Sequence, residues 1–195
     1  MTGLDSYETP VDFPQSKLFK LMFKSRWYFY FRNFGTFIRS GRCAARGQLD
    51  KDNQIHYSNH NIRLIEDCGS KVHLRGLNHL RDLQGKPVVI IGNHMSLLET
   101  AVLHAFLRPR KPFCFVIKES LLHVPFFGNI MRKLGCIAVT RQNPRDDFKV
   151  VMSEGAKRLA EGKTVIIFPQ HSRSAVFQED PDEAEIYFNL PIPRR

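Results

Sequence analysis

The chain has 195 residues, enough for one domain with a sizeable core, and its 43% hydrophobic content is ordinary for a globular protein. Its 29 Lys+Arg against 19 Asp+Glu leave a net charge of +10, which calls for an anionic partner: nucleic acid, anionic lipid or a phosphorylated small molecule. Four widely spaced cysteines without a CxxC pair exclude a zinc ribbon and a thioredoxin-like motif and read as reduced thiols, and no stretch approaches the roughly 20 apolar residues needed to span a bilayer.

Residues 1–16 read as a polar leader, and the polar, acidic start Met1-Thr2-Gly3-Leu4-Asp5 is unlike a secretory signal. From Phe13 to Leu49 no Asp or Glu occurs, while Lys17, Lys20, Lys24, Arg26, Arg32, Arg39, Arg42 and Arg46 are basic. Trp27, Tyr28, Phe29, Tyr30 and Phe31 follow one another in this stretch. Dense aromatics beside cations suit the headgroup region of a membrane, so residues 1–49 are expected to form a leader and a membrane-surface helical segment. A helical hairpin packed on the core, with solvated lysines, is the plainer alternative.

Residues 50–80 show no strong period, apart from a short strand and turn over Gly69–Leu77. The strand Val88–Gly92 then feeds a helix that starts near Ser96 and stops before Pro109. Next come a strand Phe113–Ile117, a loop Lys118–Gly128, a short helix to Leu134 and a strand Cys136–Thr140. Cys114 and Cys136 lie in apolar runs and read as small buried hydrophobes. Asn143 and Pro144 start a helix that Gly162 ends, with Phe148, Val151, Met152 and Leu159 as its apolar stripe. A strand Thr164–Phe168 closes the series. Such alternation predicts an α/β domain with a largely parallel central sheet flanked by helices, spanning residues 50–180. Residues 181–195, with three prolines, read as an irregular tail.

Chemistry gathers at the carboxyl ends of parallel strands. His94 follows the first of them, with Glu99 five residues on. Glu99 would accept the Nδ1 proton of His94 and leave Nε2 as a base. Equally, Ser96-x-x-Glu99 has capping-box spacing, so a purely structural role for Glu99 stays open. Lys118, Arg141 and Arg173 each come at or just beyond a strand end, where cations can converge on a phosphate. His104, on the helix after His94, reads as surface or satisfied core. No H-E-x-x-H or G-x-S-x-G occurs, so zinc-protease and serine-hydrolase chemistry find no support.

These segments resemble the glycerolphosphate and lysophosphatidate acyltransferase family of PlsC type. Its N-H-x4-D motif is matched by Asn93-His94-x4-Glu99, its G-x5-R motif by Gly135 to Arg141, and its F-P-E-G-T-R-S motif by Phe168-Pro169-Gln170-His171-Ser172-Arg173-Ser174. Lys118-Glu119-Ser120-Leu121 with Pro125-Phe126-Phe127-Gly128 resembles the family's Lys-containing segment, and the likeness covers roughly residues 70–177. The resemblance implies transfer of a fatty acyl group from acyl-CoA or acyl carrier protein to a lysophospholipid hydroxyl. His94 would be the base and Glu99 its orienter; Lys118, Arg141 and Arg173 would bind the acceptor phosphate, and Gln170 and Ser172 would position the acceptor. No cofactor or metal is implied, only the thioester co-substrate. The expected setting is the cytoplasmic face of the cell membrane, peripherally on anionic lipid, with no nucleic-acid partner. Glu99 replaces the family's aspartate, Gln170 its glutamate and His171 its glycine. The family's further helix and apolar strand have no counterpart after Asp180, so the resemblance also predicts a C-terminally truncated fold. The competing expectation is a degenerate fold that docks on membranes without turnover.

Overall fold

The computed structural model describes residues 6–80, 86–94 and 97–169. Four strands form a parallel sheet: β3 (Val89–Ile91), β4 (Phe113–Lys118), β5 (Ile137–Val139) and β6 (Thr164–Ile167), in the order β3-β6-β4-β5. A separate two-stranded antiparallel pair joins β1 (Tyr7–Glu8) to β2 (His73–Leu74). The α-helices are α1 (Lys17–Leu21), α2 (Arg26–Ala45), α3 (Lys51–Asp67), α4 (Leu97–Leu107), α5 (Phe127–Leu134) and α6 (Pro144–Ala160).

Strand β4 is central, and its residues alternate between two cores as a strand period of two requires. Phe113, Phe115 and Ile117 meet Leu107, Met131 and Leu134 from α4 and α5 on one face. Cys114 packs with Ile137 and Val165, against Leu159 of α6, on the other. Burial on both faces is the usual condition of a parallel sheet and explains its uninterrupted apolar strands. The sequence-based α/β expectation therefore holds, with every strand of this sheet found where the apolar runs lie.

Two elements differ from the sequence reading. Residues 51–67 form a long helix, α3, where no period was legible. Asp50 caps it, accepting the Asn53 amide at 2.8 Å. Its core-facing positions include polar Gln54, Ser58 and Asn61, which erases the hydrophobic signal. The Ser58 hydroxyl accepts the Ala105 amide at 2.9 Å and lies 2.8 Å from the Ala101 carbonyl, fixing α3 against α4. Arg108 donates to Gln54 at 2.8 Å further along the same pair.

Helix α6 forms as its signals require, with the Asn143 side chain accepting the Arg145 amide at 3.1 Å. The expected stripe is only half right, because Phe148 and Met152 are exposed. The face turned to the sheet instead runs through partly buried Val151, buried Gly155 and Leu159, at i, i+4 and i+8.

The latter part of the polar leader is tied down. Thr9 accepts the Val72 amide at 2.8 Å and donates to the buried Glu66 carboxylate at 2.8 Å, and the Tyr7 phenol donates to the same oxygen. Burial, followed by the Glu66 carboxylate, pushes the Tyr7 phenol up to about 12. Helix α2 lies against α5 with close contact at Gly41: a Cβ there would sit 2.5 Å from the Phe126 Cβ. Only glycine admits that approach.

Candidate active site

The carboxyl ends of β3, β6, β4 and β5 make one edge of the sheet, and the described candidate residues leave from that edge or follow it. Ile91 pairs with Ile167, and the chain beyond it is held by the Gly92 amide donating to the Ile167 carbonyl at 3.1 Å. His94 follows two residues later, while α4 begins at Leu97 and turns Glu99 back toward it. His94 Nδ1 lies 3.0 Å from Glu99 Oε2, with both side chains about three-quarters buried. An ionised carboxylate only accepts, so Nδ1 is the donor in this pair.

A second contact fixes the imidazole plane. Phe168, just past the end of β6, stacks on His94 with ring centroids 4.7 Å apart and planes 24° from parallel. Phe168 in turn stacks over Phe115 at 6.2 Å, which joins the histidine to the core of β4. The sequence reading placed Phe168 in its third motif without giving it a role. Its signal was there, since β3 and β6 are adjacent strands whose ends must be neighbours.

Lys118 ends β4 opposite Val139 of β5, and Arg141 follows β5 two residues later. The strand order sets their distance from His94. With about 4.8 Å between neighbours, β4 lies roughly 10 Å and β5 roughly 14 Å from β3. His94 and Glu99 are brought into contact; Lys118 and Arg141 share the edge with them but stand on its far half.

Arg141 is held in an uncommon backbone state, with φ of 61°. Asp147, in the first turn of α6, explains how. Its carboxylate accepts the Thr140 amide at 2.8 Å, the Thr140 hydroxyl at 3.0 Å and the Arg141 amide at 2.7 Å. Desolvation pushes this carboxyl up, but the hydrogen bonds from Thr140 and Arg141 outweigh it and hold the group below its usual range. The position of Asp147 in the first turn of α6 would by itself suggest only a helix-dipole role, whereas its clamp on the strand end is a tertiary contact. Gly135, which opens the second motif, caps α5 in the left-handed region at φ 71°, where glycine is preferred.

Gln170, His171, Ser172 and Arg173, as well as Ser96, lie outside the described residues.

His104 departs from expectation. It is buried against Phe113, ring centroids 4.6 Å apart, and its Nδ1 has no hydrogen-bond partner among the described residues. Burial, with a smaller contribution from Arg108, pushes it down to about 4. All four cysteines are free thiols, and burial drives Cys136 up to about 12.

A model of the acyltransferase family matches residues 71–177. Similar sequences include the 1-acyl-sn-glycerol-3-phosphate acyltransferase of Pseudomonas aeruginosa, 36% identical over 111 residues, which make up 57% of this chain and 41% of that protein. The Chlamydomonas reinhardtii protein of the same name is 33% identical over 89 residues, 46% of this chain and 26% of that one. The one from Borreliella burgdorferi is 30% identical over 88 residues, 45% and 34% of the two chains. The chain thus spans between about a quarter and about two fifths of these relatives. The crystal structure of the 1-acyl-sn-glycerophosphate (LPA) acyltransferase PlsC from Thermotoga maritima aligns with a TM-score of 0.44 at 20% identity, over 81% of this chain and 63% of that one.

Proposed function

Because the chain belongs to the acyltransferase family, we propose that it moves a fatty acyl group from acyl-CoA or acyl carrier protein to the hydroxyl of a glycerol-phosphate lipid such as 1-acylglycerol-3-phosphate, a step of phospholipid synthesis. The observation that carries this reading is the 3.0 Å His94–Glu99 pair at a strand end, on an edge where β4 ends in Lys118 and Arg141 follows β5.

In this scheme Glu99 holds the Nδ1 proton of His94, and Nε2 takes the proton from the acceptor hydroxyl as its oxygen attacks the thioester carbonyl. The tetrahedral intermediate collapses with cleavage of the C–S bond. The thiolate leaves with the proton returned by His94, and the acyl group remains as an ester. No enzyme nucleophile, metal or cofactor is needed. Lys118 and Arg141, with Arg173, bind the acceptor phosphate, and Gln170 and Ser172 position its hydroxyl. The long side chains of Lys118 and Arg141 would have to reach back across the strand spacing to meet a phosphate next to the hydroxyl at His94.

Peripheral contact with anionic lipid on the cytoplasmic membrane face completes the proposal. Leu18, Leu21, Phe23, Trp27, Tyr30, Phe31 and Phe34 are exposed on α1, α2 and their junction. Exposed Lys17, Lys20, Lys24 and Arg26 accompany them. Apolar rings beside cations are what an interfacial segment needs. No helix among the described residues is long and apolar enough to cross a membrane.

The test is conversion of lysophosphatidate and acyl-CoA to phosphatidate and free CoA thiol by the purified chain. His94→Ala should lower turnover about 10²- to 10⁴-fold. Undiminished turnover in that variant would refute the catalytic assignment, and absence of thioester consumption by the wild type would refute the function.

A further inference from the structure

An open cleft of about 690 Å³ lies between α2 and α3, walled by Arg39, Arg42, Arg46, Asn53 and Tyr57 with Asp50 at its edge. None of its lining residues belongs to the His94 site. The three arginines stand at i, i+3 and i+7, so they share one face of α2. All three are exposed, and no described carboxylate forms an ion pair with any of them. Asp50, the carboxylate at hand, is committed to the Asn53 amide as the cap of α3. Three guanidinium groups held on one helix face repel one another unless an anion sits between them. Arg42 is steadied over the Phe126 ring at 5.9 Å.

We propose that this cleft is a phosphate-binding site, separate from the catalytic edge, that takes the phosphate of a phospholipid headgroup. Guanidinium forks match phosphate oxygens bidentately, which makes phosphate the favoured anion. The same helix identifies the source. Trp27, Tyr30, Phe31 and Phe34 form an exposed aromatic stripe on the first half of α2. At 3.6 residues per turn, the arginines lie roughly a quarter turn round from that stripe. Rings at the acyl boundary would then bring the cleft level with headgroup phosphates. The lipid source rests on the membrane-surface reading above; the anion site does not.

Trp27, the single tryptophan, reports vesicle binding by fluorescence. The vesicles are phosphatidylcholine with and without phosphatidylglycerol, which is neither acceptor nor product of the proposed reaction. Arg39→Gln/Arg46→Gln should weaken binding to the anionic vesicles about tenfold or more, whereas Lys149→Gln/Lys157→Gln, with the same charge removed from α6, should stay within about twofold of wild type. Equal losses in both doubles would show diffuse attraction and overturn the site. Vesicle binding that survives Arg39→Gln/Arg46→Gln, with inorganic phosphate bound equally or not at all by the two proteins, overturns the cleft and leaves the membrane reading standing. No vesicle binding by wild type overturns the membrane reading and the lipid source with it. Calorimetry with inorganic phosphate separates the sources: wild-type binding lost in the arginine double, beside unchanged vesicle binding, would reassign the cleft to a soluble phosphate.

Discussion

His94 and Phe168 leave adjacent parallel strands and stack face to face, with ring centroids 4.7 Å apart. The imidazole is therefore held from two directions, by a carboxylate at Nδ1 and by an aromatic face over its plane. Phe168→Ala removes the second restraint and leaves space beside the ring. We expect kcat to fall about tenfold, with the acceptor KM changed less, since misplacement of a base costs rate. Phe168→Tyr, which keeps the face, should retain most activity. Steady-state kinetics of acyl transfer on the three proteins checks this; equal loss in both variants would count against stacking as the cause.

Glu99 separates charge from reach. Glu99→Gln keeps the length but replaces the charged acceptor with an amide, so Nδ1–H loses a charge-assisted partner. Turnover should drop about 100-fold. Glu99→Asp keeps the charge and shortens the arm by one methylene, which α4 can absorb by a small shift, so a loss of about tenfold or less is expected. If Gln and Asp variants turn over equally, the carboxylate does not orient His94 through its charge.

The parallel sheet was legible because β3, β4, β5 and β6 are short apolar runs with turn signals between them. Helix α6 was legible because Asn143 and Pro144 are local start signals. Helix α3 was hidden by its own packing: Gln54, Ser58 and Asn61 occupy buried positions and satisfy their polar atoms on neighbouring elements, so no apolar stripe remains. The site divides the same way. His94 and Glu99 are five residues apart and meet within one strand-to-helix turn, which spacing reveals. Phe168 on His94, and Asp147 on Thr140 and Arg141, depend on strand order and helix docking, which no local spacing encodes.

Asp147 holds the backbone of Arg141, accepting its amide, and of Thr140 before it. Asp147→Asn leaves a weaker acceptor for three donors, and Arg141 is then free to leave its left-handed conformation, which costs a non-glycine residue roughly 1–2 kcal/mol. The acceptor KM should rise about tenfold while kcat changes less, because the phosphate grip and not the base is loosened. Asp147→Ala should do the same more strongly. A proportional fall in kcat with unchanged KM would show that Arg141 does not serve acceptor binding.

His104 gives the fold a built-in sensitivity to acid. Burial holds its imidazole at about 4, well below the value of 6.5 expected when unfolded. A depressed histidine is neutral in the native state, so its contribution is fully present above about pH 6.5 and is lost as pH falls toward 4. In that window the unfolded chain binds the extra proton. The full effect is about 3 kcal/mol, at one pKa unit per 1.36 kcal/mol. Urea unfolding at neutral pH and at about pH 5 should show wild type losing roughly 2 kcal/mol between them. In His104→Phe, whose ring can still pack on Phe113 and Phe115, that part of the acid loss should disappear. An acid dependence identical in the two proteins would place the proton uptake elsewhere.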